Sequence, residues 1–471
     1  MLLVGLALAP RLQKSLTQGE PVSTCETHLG SGRASIRIRP EWMMQLHNRV
    51  ILVLFIYSYH FEMTLSRDSD SDETEPVPIS MEVNGRCILA TQMREHGFSG
   101  QQSHVATVRS FLAAQGWDVL LLTPFSGRGF FRPAVFGLRY LLKYVSGDLD
   151  VFWYRFAHAR YLRAALKQEL KRDPRPVVIY AQDPLSAEAA LSLRRMGRDK
   201  VVMIVHFNDS QADEWVLRGL IRKGSSTYEQ IENLERRVLP QVDELIYVSR
   251  YMKTRLEERI PLLRKVCHSV IPNFVEEPTA DQTVEPADII AVGTLEPRKN
   301  QAYILKVVAA LKSRGVKVSA TLIGDGNDRT KLEALANELQ VSEQIRFAGN
   351  VRNAARWISA HKIQVHAAYL ENCPISLIEA LASGVPIVAA AVGGIPEIID
   401  ESTGEFWDLS SIEDGADKVQ AFLQYPERLA KARVQCKEKY LSTFTPDIAG
   451  IQLMEVFRKL VKGKEARCAE N

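Results

Sequence analysis

Two carboxylates eight positions apart, Glu371 and Glu379, frame the segment Glu371-Asn-Cys-Pro-Ile-Ser-Leu-Ile-Glu379. Ionised carboxylates accept hydrogen bonds and donate none, so such a pair suits the vicinal hydroxyls of sugars. The loop that holds Glu371 passes through Pro374 into a helix expected over 375–383, which Gly384 stops. The first backbone N–H groups of that helix, on Ile375, Ser376 and Leu377, would face a crevice where the macrodipole favours a phosphate. Glu371 could then reach a polyol beyond the phosphates. Glu379, about one turn inside the helix, could reach a sugar on the nucleoside side. The spacing alone is a weak motif, because pairs of Glu eight apart recur by chance.

The elements that must position these residues follow from the hydrophobic pattern. Short apolar runs at 87–91, 118–122, 177–181, 201–205 and 245–248 alternate with amphipathic segments such as 102–115 and 228–242. After a Pro-flanked acidic linker at 276–286 the rhythm restarts, with runs at 289–292, 318–323, 345–347, 363–366 and 387–390. Continuous apolar strands alternating with helices predict an α/β fold of two doubly wound parallel sheets, each covered on both faces. The expected boundaries are an N-terminal extension over 1–80, domains over 81–280 and 281–440, and a terminal segment over 441–471 with a helix at 445–462. Ligands of such sheets bind outside the carboxyl ends of the strands.

Composition narrows the function classes. The 471 residues are 46% hydrophobic and 24% charged, with a mean hydropathy of −0.11, which excludes a polytopic membrane protein. Lys and Arg number 59 against 56 Asp and Glu, a formal charge of +3, so no global basic field points to nucleic acid. Six scattered cysteines without a C-x-x-C pair exclude a zinc ribbon or disulfide scaffold and suit a reducing cytosol. The apolar stretch 50–59 is half the ~20 residues needed to span a bilayer. The acidic run 68–75 reads as a solvated linker, and the extension as poorly ordered.

The full string from 363 to 397 resembles the E-x7-E signature of the family 4 retaining glycosyltransferases, which have the GT-B fold. The resemblance extends over about 81–462 and implies further site residues. In Val292-Gly-Thr-Leu-Glu-Pro-Arg298-Lys299-Asn300, Arg298 and Lys299 would face a pyrophosphate across from the Glu371 loop; relatives often carry Arg where this chain has Thr294. His206 ends the 201–205 strand, the position from which relatives send a His toward the donor sugar. In His96-Gly97-Phe-Ser-Gly100, Gly97 and Gly100 would form the flexible loop beside the diphosphate and acceptor. Gly324 in Ile323-Gly-Asp-Gly326 and Val351 after 345–349 match segments whose backbone holds the base. The Gly393-Gly394-Ile-Pro-Glu397 loop matches one that approaches the donor, and Ser249 and Asn273 fit signposts with a structural role.

The implied reaction moves a hexose from a UDP-, GDP- or ADP-sugar to a hydroxyl, keeping the anomeric configuration, in cell-envelope polysaccharide or glycolipid synthesis. No metal or other cofactor is expected. The D-x-D at Asp148 and Asp150 lacks the strand-end setting of a metal site. Residues 128–172 hold ten Lys or Arg against three acids, interleaved with aromatic residues. Two readings of this stretch stay open: a peripheral membrane face for a lipid-linked acceptor, or core aromatics beneath solvated cations. A glycan acceptor, no nucleic-acid partner, and a cytoplasmic location at the inner face of a membrane complete the expectation. The rival readings are a sugar-nucleotide epimerase or phosphorylase on the same fold, and a catalytically inactive scaffold.

Overall fold

The computed structural model describes residues 84–126, 132–278 and 284–462, with the backbone of two short strands at 25–29 and 32–36. Those strands, β1 (Cys25–Leu29) and β2 (Gly32–Ile36), pair antiparallel in a compact unit of residues 1–81 and 140–146. The rest of the 1–80 extension, including the runs at 50–59 and 68–75, lies outside the described residues. Both large sheets belong to one compact unit, residues 82–139 and 147–471.

The first sheet contains β3 (Arg86–Ala90), β4 (Asp118–Leu122), β5 (Val178–Ala181), β6 (Lys200–Val205), β7 (Glu244–Tyr247) and β8 (His268–Val270). The second contains β9 (Ala287–Val292), β10 (Ala320–Ile323), β11 (Ile345–Gly349), β12 (His361–His366), β13 (Ile387–Ala390) and β14 (Gly404–Trp407). Their orders are β4-β3-β5-β6-β7-β8 and β11-β10-β9-β12-β13-β14, parallel throughout. Every residue of β3, β5, β7 and β13 is buried, which is why, apart from Arg86 and Glu244 at the starts of β3 and β7, these strands read as apolar runs. The chain reverses its direction of travel between β3 and β5, and again between β9 and β12. These two switch points open crevices at the strand carboxyl ends. The glycine loop follows β3, Arg298 and Lys299 follow β9, and Glu371 follows β12.

The doubly wound expectation holds, with two additional strands. β8 and β14 escape the pattern because they are short sheet-edge strands, only half-buried, of sequence His-Ser-Val and Gly-Glu-Phe-Trp. The helix Pro426–Thr443 carries through the boundary expected at 440. The single helix expected over 445–462 is instead a π-type turn, Pro446–Gly450, followed by the helix Ile451–Val461. Phe457 on that last helix meets Tyr180 of β5 edge-on at 5.2 Å and Trp117 at 5.9 Å. Tyr440 donates to the Val275 carbonyl at 3.0 Å. Apolar side chains from both sheets merge here into one core, with Leu89, Tyr180 and Ile246 in the same cluster as Ile378, Leu381 and Phe457. Cys87, Cys373 and Cys436 are buried free thiols, whereas Cys267 is disulfide-bonded, a pairing that the expectation of a reducing setting did not include. Spacing along the chain says little about which thiols the fold brings together.

Candidate active site

β12, of sequence His-Lys-Ile-Gln-Val-His, buries two polar side chains in its carboxyl half: Gln364, and His366 at its end. Five residues on, Glu371 is 6% exposed, and its Oε1 gathers three donors. These are Lys299 Nζ, Arg298 Nη1 at 3.1 Å and His366 Nε2 at 3.2 Å. Burial pushes the Glu371 carboxyl up, but Lys299, His366 and Arg298 outweigh it and hold the group well below the usual carboxylate range. Burial, with Lys299 and Arg298 adding to it, lowers His366, so it meets Glu371 as a neutral ring donating from Nε2. Oε2 of Glu371 accepts no hydrogen bond from the described residues.

Lys299 ends the short turn Pro297–Lys299 after β9, and its stem lies against Gly293, with Cε 3.5 Å from where a Cβ would stand. Arg298 is more heavily committed. Its Nη1 also donates to the Leu370 carbonyl at 2.8 Å, and Nε and Nη2 donate to Glu296 at 3.2 and 2.9 Å. Its backbone carbonyl accepts from Tyr369 N at 2.9 Å. Arg298 therefore braces the Glu371 loop, and Lys299, whose ammonium pairs with Glu371, has the fewer partners of the two cations. Thr294 is exposed at the β9 end.

The helix Ile375–Ala382 starts at Pro374 with no side-chain cap, and Gly384, at φ 62°, follows its end. Leu377 N folds back on the Pro374 carbonyl at 3.1 Å. No side chain competes with a ligand for the N–H groups of Ile375 and Ser376. Glu379, one turn in, has no side-chain partner among the described residues. Burial alone raises its carboxyl to about 7, and no cation opposes the shift. The two carboxylates thus occupy opposite electrostatic states within one segment.

In the first domain, Ser99 caps the helix Gly100–Ala114 through a capping box with Gln102, and this fixes the glycine loop. A Cβ on Gly97 would fall 2.1 Å from the Gln102 amide, so the loop closes tightly on its own cap. A Cβ on Gly100 would stand 3.9 Å from Ile375 Cδ1, which places this loop beside the start of the helix Ile375–Ala382. His206 lies within 3.2 Å of Gln182 and meets His104 edge-on at 4.6 Å. Burial, with His104 beside it, depresses its pKa far below the ordinary imidazole value, leaving a neutral ring.

The remaining candidates serve packing. Gly324 adopts φ 126°, a Cβ there would overlap the Gly293 carbonyl at 2.0 Å, and its N–H is used by the Gly349 carbonyl at 2.8 Å. Val351 is half-buried against the shared core, so a ligand would meet its backbone. Gly393, at φ 58°, has the Glu371 carbonyl 1.7 Å from its Cβ position, so only a glycine lets this loop lie against Glu371. Glu397 accepts from Arg250 N and Tyr251 N of the first domain at 2.8 and 2.7 Å. Ser249 caps the same helix and pairs with Asn372, and Asn273 donates to the Cys373 carbonyl at 2.8 Å. His366, Asn372 and Glu296 escape the sequence reading; the polar alternation of Gln364 and His366 within a buried strand was the available signal.

Asp148 accepts from Ser225, and Asp150 is buried against Arg139 at 2.6 Å, so the D-x-D is spent on helix packing. In the basic stretch, Trp153 is buried and donates to the Val135 carbonyl at 2.8 Å, while Phe136 packs on Phe125 and His158. Arg163, Lys167 and Lys171 form the exposed face of the helix Gly147–Arg172. Residues 128–131 lie outside the described residues. Among the described residues no helix is long and apolar enough to cross a membrane.

Comparison with known proteins is consistent with this layout. Residues 98–277 match the family described as Glycosyltransferase Family 4, and residues 277–439 match Glycosyl transferases group 1. Glycogen synthase of Mycobacterium tuberculosis is 23% identical over 390 residues, covering 78% of this chain and 92% of that protein. A GDP-mannose-dependent alpha-(1-6)-phosphatidylinositol monomannoside mannosyltransferase of Mycolicibacterium smegmatis is 25% identical, covering 50% of this chain and 66% of the relative. Among solved structures, sucrose-phosphate synthase from Thermosynechococcus elongatus superposes with a TM-score of 0.61 at 17% identity, covering 81% of this chain and 100% of the other. Anabaena HepE in complex with UDP-glucose gives 0.58 at 15%, covering 79% and 99%. With two adjoining family matches laid over two parallel sheets of this connectivity, the chain belongs to the family 4 glycosyltransferases and has the GT-B fold.

Proposed function

We propose that this glycosyltransferase moves a hexose from a UDP-, GDP- or ADP-sugar to a hydroxyl of a glycan or lipid-linked acceptor, with retention of anomeric configuration, in cell-envelope polysaccharide or glycolipid synthesis. The observation that carries the reading is Glu379, a half-buried carboxylate raised to about 7 with no side-chain partner among the described residues, one turn behind an uncapped helix start. A ribose diol would supply the hydrogen bonds that the protein withholds. The diphosphate would then lie on the N–H groups of Ile375 and Ser376, with Leu377 N, expected to join them, bonded to the Pro374 carbonyl, and would be flanked by Lys299 and by the Gly97–Gly100 loop. Crystallisation of HepE with UDP-glucose and the GDP-mannose dependence of the mycobacterial mannosyltransferase support a nucleotide-sugar donor and leave the base open.

In this reading the glycosidic C–O bond breaks as negative charge builds on the diphosphate. Lys299 and the helix start stabilise that charge, which is worth on the order of 10²–10³ in rate per donor group. The acceptor hydroxyl attacks from the same face and passes its proton to the departing phosphate oxygen. Glu371 acts by orientation: Oε1 is tied down and Oε2 remains to receive sugar hydroxyls. His206, neutral, offers its ring to the donor sugar. Protein cations carry the charge balance, so the reading needs no metal, and activity should survive EDTA. The exposed row Arg163, Lys167 and Lys171 supports peripheral contact with an anionic membrane on the cytoplasmic side, checked by flotation with phosphatidylglycerol vesicles.

The test is a panel of UDP-, GDP- and ADP-sugars scored by thermal stabilisation, followed by NMR of the product anomer. One nucleotide class should raise the melting temperature, and the product should keep the donor configuration. An inverted product, or no stabilisation by any class, contradicts the reading.

A further inference from the structure

Each residue of the Glu371-Asn372-Cys373 loop is gripped from a different side. The Glu371 carbonyl accepts from Gly394 N at 3.0 Å, and the Cys373 carbonyl accepts from Asn273 of the first domain at 2.8 Å. Between them, Asn372 is 3% exposed and spends its whole amide on the first domain. Its Nδ2 donates to the carbonyls of Val205 and Phe207, at 3.3 and 3.4 Å, the two residues that flank His206. Its Oδ1 accepts from the Ser249 hydroxyl, whose oxygen in turn accepts from Met252 N at 3.1 Å.

We infer that Asn372 is a positioning residue that sets Glu371, on the donor side, in register with His206, on the acceptor side. The inference rests on the transferase reading above. The chemistry of the contact is selective for Asn: one end must donate to two carbonyls while the other accepts from a hydroxyl. Asp at this place would turn an oxygen toward both carbonyls, and Ala would take this partner from both carbonyls and leave the Ser249 hydroxyl without its acceptor in a buried setting. Because Val205 and Phe207 are the immediate neighbours of His206, any slip of the pin changes the distance between the two candidate sugar-binding side chains. Transfer requires the anomeric carbon and the acceptor oxygen in near contact, and a misplacement of ~1 Å can cost ~100-fold in rate. The helix start and Glu379 lie on the second domain, and the Gly97–Gly100 loop that would flank the diphosphate is held by its own capping box, so nucleotide binding does not need the pin.

The experiment compares wild type with Asn372→Asp, Asn372→Ala and Ser249→Thr, using UDP, GDP and ADP as binding probes and their sugars as donors. The expected result is that nucleotide affinity and donor KM change by less than ~3-fold while kcat falls ~100-fold in Asn372→Asp and Asn372→Ala. Ser249→Thr, which keeps the hydroxyl, should retain activity within ~3-fold. A kcat near wild type in both Asn372 variants, or a loss of nucleotide affinity in parallel with kcat, overturns the inference. Amide hydrogen exchange separates its failure from failure of the function. In Asn372→Asp, exchange over 205–208 and 371–375 should rise at least ~10-fold whether or not any donor turns over. Unchanged exchange there removes the pin. A wild type inert toward every donor, with the exchange effect present, removes only the transferase reading.

Discussion

Glu371 and Glu379 lie eight residues apart in one strand–loop–helix segment, yet the protein treats them in opposite ways. Glu371 is buried among Lys299, Arg298 and His366 and is kept ionised far below its ordinary pKa. Glu379 is half-buried with no cation and no donor among the described residues, and its carboxyl rises to about 7. The difference teaches which end of the site is built in advance and which waits for a ligand. A preorganised group acts through orientation and loses most when its partners go, whereas an unsatisfied one reports ligand binding and pH.

Breaking the built end should give the largest effects. Glu371→Gln removes the charge on which Lys299, Arg298 and His366 converge, and should lower kcat about 10³-fold in steady-state transfer assays. Lys299→Ala should lower kcat by ~10²-fold with a smaller change in donor KM, because its cation is needed most as the diphosphate departs. At the waiting end, Glu379→Ala should weaken nucleotide binding by about tenfold while leaving the anomeric outcome intact, read by titration calorimetry.

The pH predictions sharpen the contrast. The folded-state pKa of Glu379 lies above its unfolded value of 4.5. The stability contributed by its protonated form is therefore complete below pH 4.5 and is lost as pH rises through about 7. Glu379→Gln should accordingly raise the melting temperature at pH 8 and change it little at pH 4.5. Glu371 has the opposite sign. Its stabilisation is present above pH 4.5 and is lost only as pH falls through its depressed folded value, so pH 5–9 should leave it untouched. The smallest expected effect is on Arg298→Lys. Loss of the bidentate brace to Glu296 and Leu370 should loosen the loop and cost a few-fold in kcat.

The legible parts of this molecule are those whose signal is local. Apolar strands buried on both faces, the Pro374 entry, the Gly384 stop and the positions of Glu371, Lys299 and His206 at strand carboxyl ends can all be read along the chain. Contacts between loops of different strands cannot. Arg298 reads as a free cation facing a pyrophosphate, yet it is spent on Glu296, Leu370 and Glu371, the latter two more than seventy residues away. The glycines of 393–394 read as a ligand-facing loop, and the chain gives no sign that they also let backbone approach the Glu371 and Asn372 carbonyls. Glu397 and Asn372 bridge to the first domain across 146 to 167 residues of sequence, a proximity created only when both sheets share a core. The basic, aromatic stretch at 128–172 divides on the same principle: Trp153 and Phe136 turn inward, and the cations of one helix face remain outside.

The central claim is that Glu379 is the protein's empty hand for the nucleoside of a sugar donor. Titration calorimetry of UDP, GDP and ADP against wild type and Glu379→Ala, at pH 6 and pH 8, tests it most directly. The account predicts that one nucleotide binds wild type more tightly at pH 8 than at pH 6, with proton release near pH 7, and that Glu379→Ala loses both the affinity and the pH dependence. Equal binding by wild type and Glu379→Ala at both pH values would contradict it.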